Sequence, residues 1–429
     1  MSFQTGLSGL NASSKNLDVI GNNIANANTV GMKYSRTEFA DLVSSSLGAG
    51  GGGGAGIGVA VATVSQQFSQ GNISVTGNSL DVAINGGGFF QITKTDGTTA
   101  YTRDGQFKLD KDGNIVTNTG ANVMGYVTDF AGTPLGTTPI AMVLPTGAPI
   151  PARATTAITT EFNLDARAVV AATAFPPTPV STYGTSLTAY DSQGVPIPVS
   201  LYFSRIDPAA AASATAPVTT PIATATPTDQ WQVYTDTAGA DTVGVLVFDA
   251  NGQIDLTNTT FPTDVGGAGT LRLTPPTSTV VPPFDVTVAI SGITQFGSSF
   301  NVTNLSQDGY TAGELTGVSI EATGVINTRY SNGQIQARGQ IALADFRNVQ
   351  GLSPVGAGEY VATFASGQPV QGSAGVGKFG ELRSGAVEES NVDLTAELVN
   401  MMTAQRSYQA NAQTIKTQDQ VLSTLVNLR

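Results

Sequence analysis

The stretch LTAELVNMMTAQRSYQANAQTIKTQDQVLSTLV, residues 394–426, decides how the chain is read. Leu394, Leu398, Met401, Tyr408, Ala412, Ile415, Leu422 and Val426 recur at alternating spacings of four and three, interrupted by Gln405 and Asp419. That heptad pattern predicts one long amphipathic helix with a coiled-coil-like apolar seam. Ser390 and Asp393 form an S-x-x-D box, which places the helix start near Asn391. About 36 residues at about 1.5 Å each give a rod of about 55 Å. The N-terminus carries a shorter version, with Leu7, Leu10, Leu17 and Ile24 on one seam and Ser14 and Gly21 between them.

A bare apolar seam must be buried. The simplest arrangement packs the two terminal helices on each other as a small helical subdomain. The sharper reading adds copies from neighbouring chains, because a pair of helices leaves one flank uncovered. Residues 1–31 hold only Lys15 and Asp18 as charges, so this flank suits neutral neighbours. Asp419 is the exception and is expected at an edge or paired across chains.

Between the helices the pattern changes to short strands and turns. Asp96-Gly97, Asp104-Gly105 and Asp112-Gly113 mark a turn every eight residues, the spacing of a β-meander. Further turns are expected at Asp191–Gly194, Asn251-Gly252 and Asn332-Gly333. The run Gly48–Gly58 reads as a flexible connector and the Ala/Thr/Pro stretch Pro208–Pro227 as a long surface loop. The expected fold is mainly β with α-helical termini, the helices forming a coiled-coil-like base and two nested β domains lying between them. The expected divisions are 1–31 and 386–429 for the helical domain, 32–71 and 366–385 for the connector, 72–146 and 301–365 for the inner β domain, and 147–300 for the outer one.

Composition removes much of the enzyme repertoire. The 429 residues contain no His and no Cys, which excludes a Ser-His-Asp triad, a Cys nucleophile and the usual zinc sites. Lys and Arg number 19 against 31 Asp and Glu, a net charge of −12 that disfavours nucleic acid and anionic membranes as partners. The start of the chain has no basic segment followed by an apolar one, so no ordinary signal peptide is expected. Ala168–Phe175, the longest nearly apolar run outside the glycine stretch, falls far short of the roughly 20 residues that span a bilayer.

The remaining motifs have plain readings. After Gly48–Gly58 comes Ile57-Gly58-Val59 rather than the Gly-Lys-Ser/Thr of a phosphate loop. Asp110–Asn114 echoes a calcium loop, but Ile115 and Ala121 stand where that loop needs Gly and Glu, so it reads as a hairpin turn. Asp249 with Asp255, or Glu314 with Glu321, could serve as a hydrolase carboxylate pair only if the fold brought them together. No catalytic, cofactor-binding or metal-binding residue is assigned, and no cofactor is expected.

Three sets of residues carry a resemblance. Asn22–Gly31, with Asn26, Asn28, Thr29 and Gly31 in its turn, and Ser390–Gln418, including Arg406–Asn411, resemble the terminal signatures of the axial proteins of the bacterial flagellum, its rod, hook and hook-associated proteins. Leu80–Phe90 and Tyr101–Phe107 resemble inner β-domain motifs of the same family, and the opening Met1–Leu10 is similar to its hook members. Met32 departs from the pattern, an aromatic being more usual there, and so does the expanded glycine run. The resemblance implies a structural subunit, not an enzyme, that self-assembles into a curved, flexible tube acting as a universal joint between rod and filament. It implies export through the flagellar type III apparatus to an extracellular position. The implied partners are other copies, the distal rod protein, the hook cap protein, the hook-filament junction protein and the hook-length control protein, with no nucleic acid and no membrane insertion. The seam residues Leu7, Leu10, Leu17, Ile24, Leu394, Leu398, Met401, Tyr408, Ile415 and Leu422 are assigned to assembly. The turn Asn26, Asn28, Thr29 and Gly31 reads locally as a helix end, where Asn and Gly tolerate the left-handed conformation. The rival readings are a distal rod protein and, from another class, a secreted β-rich adhesin or carboxylate-based hydrolase.

Overall fold

Asp393, not Ser390, starts the C-terminal helix. The computed structural model describes residues 2–43, 56–145, 147, 149–171, 182–206, 229–237, 242–259, 269–275 and 284–427. Helix α2 spans Leu394–Asn427, and Asp393 Oδ1 accepts from the N–H groups of Thr395 (2.8 Å) and Ala396 (3.1 Å). This satisfies donors that have no partner within the helix. Ser390 Oγ accepts from Val392 N–H (3.3 Å) and closes a short turn just before it. The expected start near Asn391 is therefore corrected by three residues.

Helix α1 spans Ser2–Ala25 and runs antiparallel to α2: Gly6 lies against Ile415, Gly9 against Asn411, and Asn23 bonds to Glu397. A Cβ on Gly9 would stand 3.0 Å from the Asn411 amide, so the missing side chain lets the helices approach closely. Strands β1 (Ser35–Val43) and β2 (Gly56–Gln66) form an antiparallel pair beside α1, where Val59 N–H donates to Ser8 Oγ (3.3 Å). Most of the glycine run lies outside the described residues, but Gly56–Gly58 open β2, so its end is strand rather than flexible connector. The β-branched Val59, Val61 and Thr63 that follow at alternate positions favour this.

The chain continues as β3 (Ile73–Val75), β4 (Val82–Asn85), β5 (Phe89–Thr93), β6 (Thr99–Thr102), β7 (Phe107–Leu109), β8 (Ile115–Thr117), β9 (Asn122–Tyr126) and β10 (Ile140–Ala141). Asp96-Gly97 closes β5–β6 and Asp112-Gly113 closes β7–β8. Asp104-Gly105 is not a hairpin turn. Gly105 is needed because its carbonyl accepts from Val82 N–H (2.9 Å), so closely that a Cβ would fall 1.7 Å from Val82 O.

Residues 149–315 with 330–334 form one compact unit and the rest of the chain another. The first contains β11 (Ala157–Asp165), β12 (Tyr183–Tyr190), β13 (Pro196–Ile206), β14 (Asp229–Tyr234), β15 (Thr242–Phe248), β16 (Thr270–Leu273), β17 (Val286–Ala289), β18 (Thr294–Phe296) and β19 (Asn301–Gln307). A four-stranded sheet, β12-β13-β14-β15, and a five-stranded sheet centred on β11 share one core around Phe162, Phe203, Trp231 and Phe248. Alternating burial along β11 reflects one face turned to that core. The Pro208–Pro227 stretch lies outside the described residues.

The chain then returns through β20 (Leu315–Ile320), β21 (Val325–Tyr330), β22 (Ile335–Asp345), β23 (Ser353–Gly356), β24 (Glu359–Val361), β25 (Val370–Ser373), β26 (Glu381–Ser384) and β27 (Ala386–Glu388). β22 pairs with β9 and β5 of the N-terminal half, so one sheet is made from both halves of the chain. Residues 366–385 contribute β25 and β26, which pair with β22 and β4. Adjacent Phe89 and Phe90 on β5 point to opposite faces: Phe90 joins a core with Ile84, Ile92 and Leu343, and Phe89 an aromatic cluster with Tyr101, Phe346 and Tyr360. The fold is mainly β with helical termini.

In the 149–315 unit, Asp308 accepts from the N–H groups of Thr156 (2.8 Å) and Ala157 (2.9 Å), the Thr156 hydroxyl (2.6 Å) and Arg153 (3.0 Å). Burial pushes its carboxyl up, but these bonds and the Arg153 charge outweigh it and hold it below its usual value. The unfolded chain then binds more protons in acid, so this stabilisation is complete above the unfolded value of about 3.9 and is lost as pH falls through the folded one. Denaturant unfolding should show Asp308→Asn less stable than wild type near neutral pH, with the gap narrowing below about pH 3.

Candidate assembly site

Three segments meet where the terminal helices join the β structure. Lys33, just beyond α1, places Nζ 2.5 Å from Glu388 Oε1 and 2.8 Å from the Ser69 carbonyl. Gly71 N–H donates to the same Glu388 oxygen (2.8 Å), and Arg103 Nη1 donates to Oε2 (3.1 Å). Glu388 is held there because β27 pairs with β3, Glu388 opposite Ile73. The Arg103 guanidinium lies 5.2 Å over the Phe89 ring. All three charged side chains are buried. Burial pulls Lys33 and Arg103 below their usual pKa values, against the attraction of Glu388.

Two buried or half-buried amides complete the junction. Asn23 clamps the start of β1 from both sides, donating to Ser35 O (2.7 Å) and accepting from Ser35 N–H (3.0 Å), while also donating to Glu397 Oε2 on α2 (3.1 Å). Asn391 accepts from Tyr34 N–H (2.7 Å) and donates to Gln67 O (2.8 Å). Each replaces a missing backbone partner between segments far apart in sequence.

The signature turn sits on this junction. Asn26 Nδ2 donates to Asn22 O (3.0 Å), Thr29 N–H donates to Asn26 O (3.0 Å), and Asn28 is exposed. Of the four turn residues only Gly31 is left-handed, with φ +71°, so Asn26 and Asn28 do not use the freedom expected of them. Gly31 N–H donates to Glu388 O (2.8 Å), and a Cβ there would stand 2.6 Å from Asp104 N.

The seam residues divide between the contact of the two helices, where Ile415 lies against Gly6, and outward positions. Leu7, Leu394, Leu398, Tyr408 and Leu422 are exposed, Leu398 at 51% and Leu422 at 55%; Leu10, Leu17, Ile24, Met401 and Ile415 are half-buried. What is buried inside the chain combines small, polar and two larger apolar groups: Gly6, Ala12, Val19, Ile20 and Asn23 on α1, and Glu397 and Ala404 on α2, with Asn411 half-buried. An open groove of about 690 Å³ between α1, β1–β2 and α2 is lined by Ala12, Val19, Ile20, Phe39 and Ala404, among others.

Three of the four acidic residues considered as carboxylate pairs are bonded locally. Asp249 accepts from the N–H groups of Asn251 and Gln253, Asp255 from Thr257, and Glu321 from the Asn327 amide. Among the described residues no cluster of three or more Asp or Glu could hold a metal ion, and no helix is long and apolar enough to cross a membrane.

Known proteins repeat this organisation from end to end. Residues 3–33 match the family described as Flagella basal body rod protein, 83–163 the Flagellar hook protein FlgE/F/G D1 domain, 163–310 the Flagellar basal body protein FlaE D2 domain, and 383–428 the Flagellar basal body rod FlgEFG protein C-terminal. The flagellar hook protein FlgE of Salmonella typhimurium is 39% identical over all of both chains, and that of Escherichia coli K12 38% over all of both. The chain belongs to the flagellar hook protein FlgE family. The Treponema pallidum member is 34% identical over all of this chain and 99% of its own. The crystal structure of Helicobacter pylori flagellar hook protein FlgE2 covers 73% of this chain and all of its own with a TM-score of 0.52; at 15% identity that likeness speaks for the fold.

Glu388 and Lys33 were not selected from sequence, although both lie within a few residues of the family signatures. Removing Glu388 leaves two buried cations unpaired, so Glu388→Ala should cost about 3–5 kcal/mol in denaturant unfolding. Gly31→Ala must accept both a left-handed backbone and the Asp104 contact, and thermal unfolding should show it destabilised by more than about 1 kcal/mol.

Proposed function

We propose that this chain is the subunit of the bacterial flagellar hook and polymerises through its terminal helices into a curved, flexible tube that transmits torque from rod to filament. The observation that carries this reading is the set of exposed apolar side chains on two helices that already pack on each other, Gly6 against Ile415 and Gly9 against Asn411. Leu7, Leu394, Leu398, Tyr408 and Leu422 each keep about 37–55% of their surface uncovered within the chain, an apolar area suited to another helix. A tube requires such a surface to be met by a different surface of the next copy. Full-length similarity to hook proteins supports hook over distal rod, and the local use of the paired carboxylates gives the hydrolase reading no support.

The proposed division of labour follows the chain. The helical ends bind neighbours, the junction at Lys33, Glu388 and Arg103 passes load to the β strands, and the strand-rich middle supplies the outer contacts. With charged residues only 12% of the sequence, few ion pairs fix one register, and contacts between copies can slide as the tube bends. Export by the flagellar type III apparatus, an extracellular hook position, and contacts with rod, cap, junction and length-control proteins belong to the same proposal. The role requires no cofactor and no catalytic group.

The double substitution Leu7→Asp with Leu398→Asp tests it. Both side chains are exposed, so the unfolding temperature of the monomer should change little. Polymerisation should be abolished, read as the absence of hooks on cells carrying only the variant; normal hooks would contradict the assignment of this seam.

A further inference from the structure

Phe364 is fully exposed, at 104%, the highest value among the exposed large apolar side chains described. Its loop is nevertheless tightly built. Thr363 Oγ1 donates to Gly351 O (2.5 Å) and accepts from Ala365 N–H (3.1 Å). Ser366 Oγ donates to Thr363 O (2.8 Å) and accepts from Thr363 N–H (2.9 Å), and Asn348 donates to Ala365 O (3.0 Å). Gly351 lets the chain pass so close that a Cβ would lie 2.3 Å from Ser366 N. The structure thus fixes the residues on both sides of Phe364 and gives the ring itself no cover.

We propose that Phe364 is a docking knob that inserts into a second copy of this chain in the assembled tube. This rests on the hook reading above and adds to it a contact outside the terminal helices. Three observations select another copy as the occupant. The chain belongs to a family of hook proteins, and a helical tube needs heterologous contacts, a projecting element on one copy meeting a separate receiving surface on the next. No charged residue occurs between Arg347 and Glu359 or between Glu359 and Lys378, and Glu359 is buried, so the knob's own stretch of chain is neutral like the helical seam. The turn beneath the loop is tied to the end of β2, Gln350 Nε2 donating to Gln66 O (2.7 Å), so the knob stands where the β strands meet the segments that carry that seam. A rigid aromatic loses little entropy on docking, which suits it to anchor such a contact.

The test places a photoreactive benzoylphenylalanine at position 364 of the full-length chain in a strain lacking the native copy. Irradiated hooks should yield a covalent dimer of this chain, with the crosslinked peptide outside residues 348–378, and secreted monomer at low concentration should yield none. A crosslink to a different protein, a crosslink between two 364 positions, or no dimer would overturn the proposal. A second measurement uses purified chain: Phe364→Ala should raise the critical concentration for polymerisation at least about tenfold without lowering the unfolding temperature. An unchanged critical concentration would overturn the knob while leaving the hook reading intact. Failure of the unsubstituted chain to form hooks would overturn that reading, and the knob with it.

Discussion

The carboxylate of Glu388 organises the junction between the helical ends and the β structure. One oxygen receives Lys33 and the Gly71 amide, the other receives Arg103, and the Glu388 carbonyl receives Gly31. Three segments distant in sequence, at Gly31–Lys33, Gly71 and Arg103, are therefore held by one buried residue. Such an arrangement contributes little net stability compared with an apolar core of the same shape, because three charges must be desolvated to form it. Its value is directional: hydrogen-bonded charges define an angle and a register that interdigitated methyl groups do not.

The helices combine an internal contact with exposed apolar side chains. Inside the chain, α1 and α2 approach through Gly6, Gly9 and Ala404, and the polar groups of Asn23, Glu397 and Asn411 are bonded where they face α1 and β1. Several larger apolar side chains, Leu7, Leu398 and Leu422 among them, are left exposed, whereas Val19 and Ile20 are buried. A monomer that hid Leu398 and Leu422 against its own α1 would have nothing left to offer a neighbour.

Much of the fold was legible because it rests on periodicity and turn chemistry. The heptads gave both helices, and Asp96-Gly97 and Asp112-Gly113 gave two hairpins, since Gly97 and Gly113 adopt the left-handed conformation those turns require. Asp104-Gly105 had the same spelling and a different cause, a close passage against Val82 that only a three-dimensional arrangement reveals. The internal helix stripe was missed for a related reason: hydropathy registers large apolar side chains, whereas close packing at Gly6 and Gly9 depends on side chains that are absent. Lys33 and Glu388 were missed because charged residues are surface residues by default, and only their partners make burial tolerable. Within the signature Asn22–Gly31, the bonds to distant segments are made by Asn23 and Gly31 rather than by Asn26, Asn28 and Thr29.

The central claim is that this chain forms the hook, and electron microscopy of cell envelopes from a strain lacking it tests that claim most directly. The account predicts basal bodies that end in a straight rod, with neither curved hook nor filament. Intact hooks and filaments on those cells would contradict it.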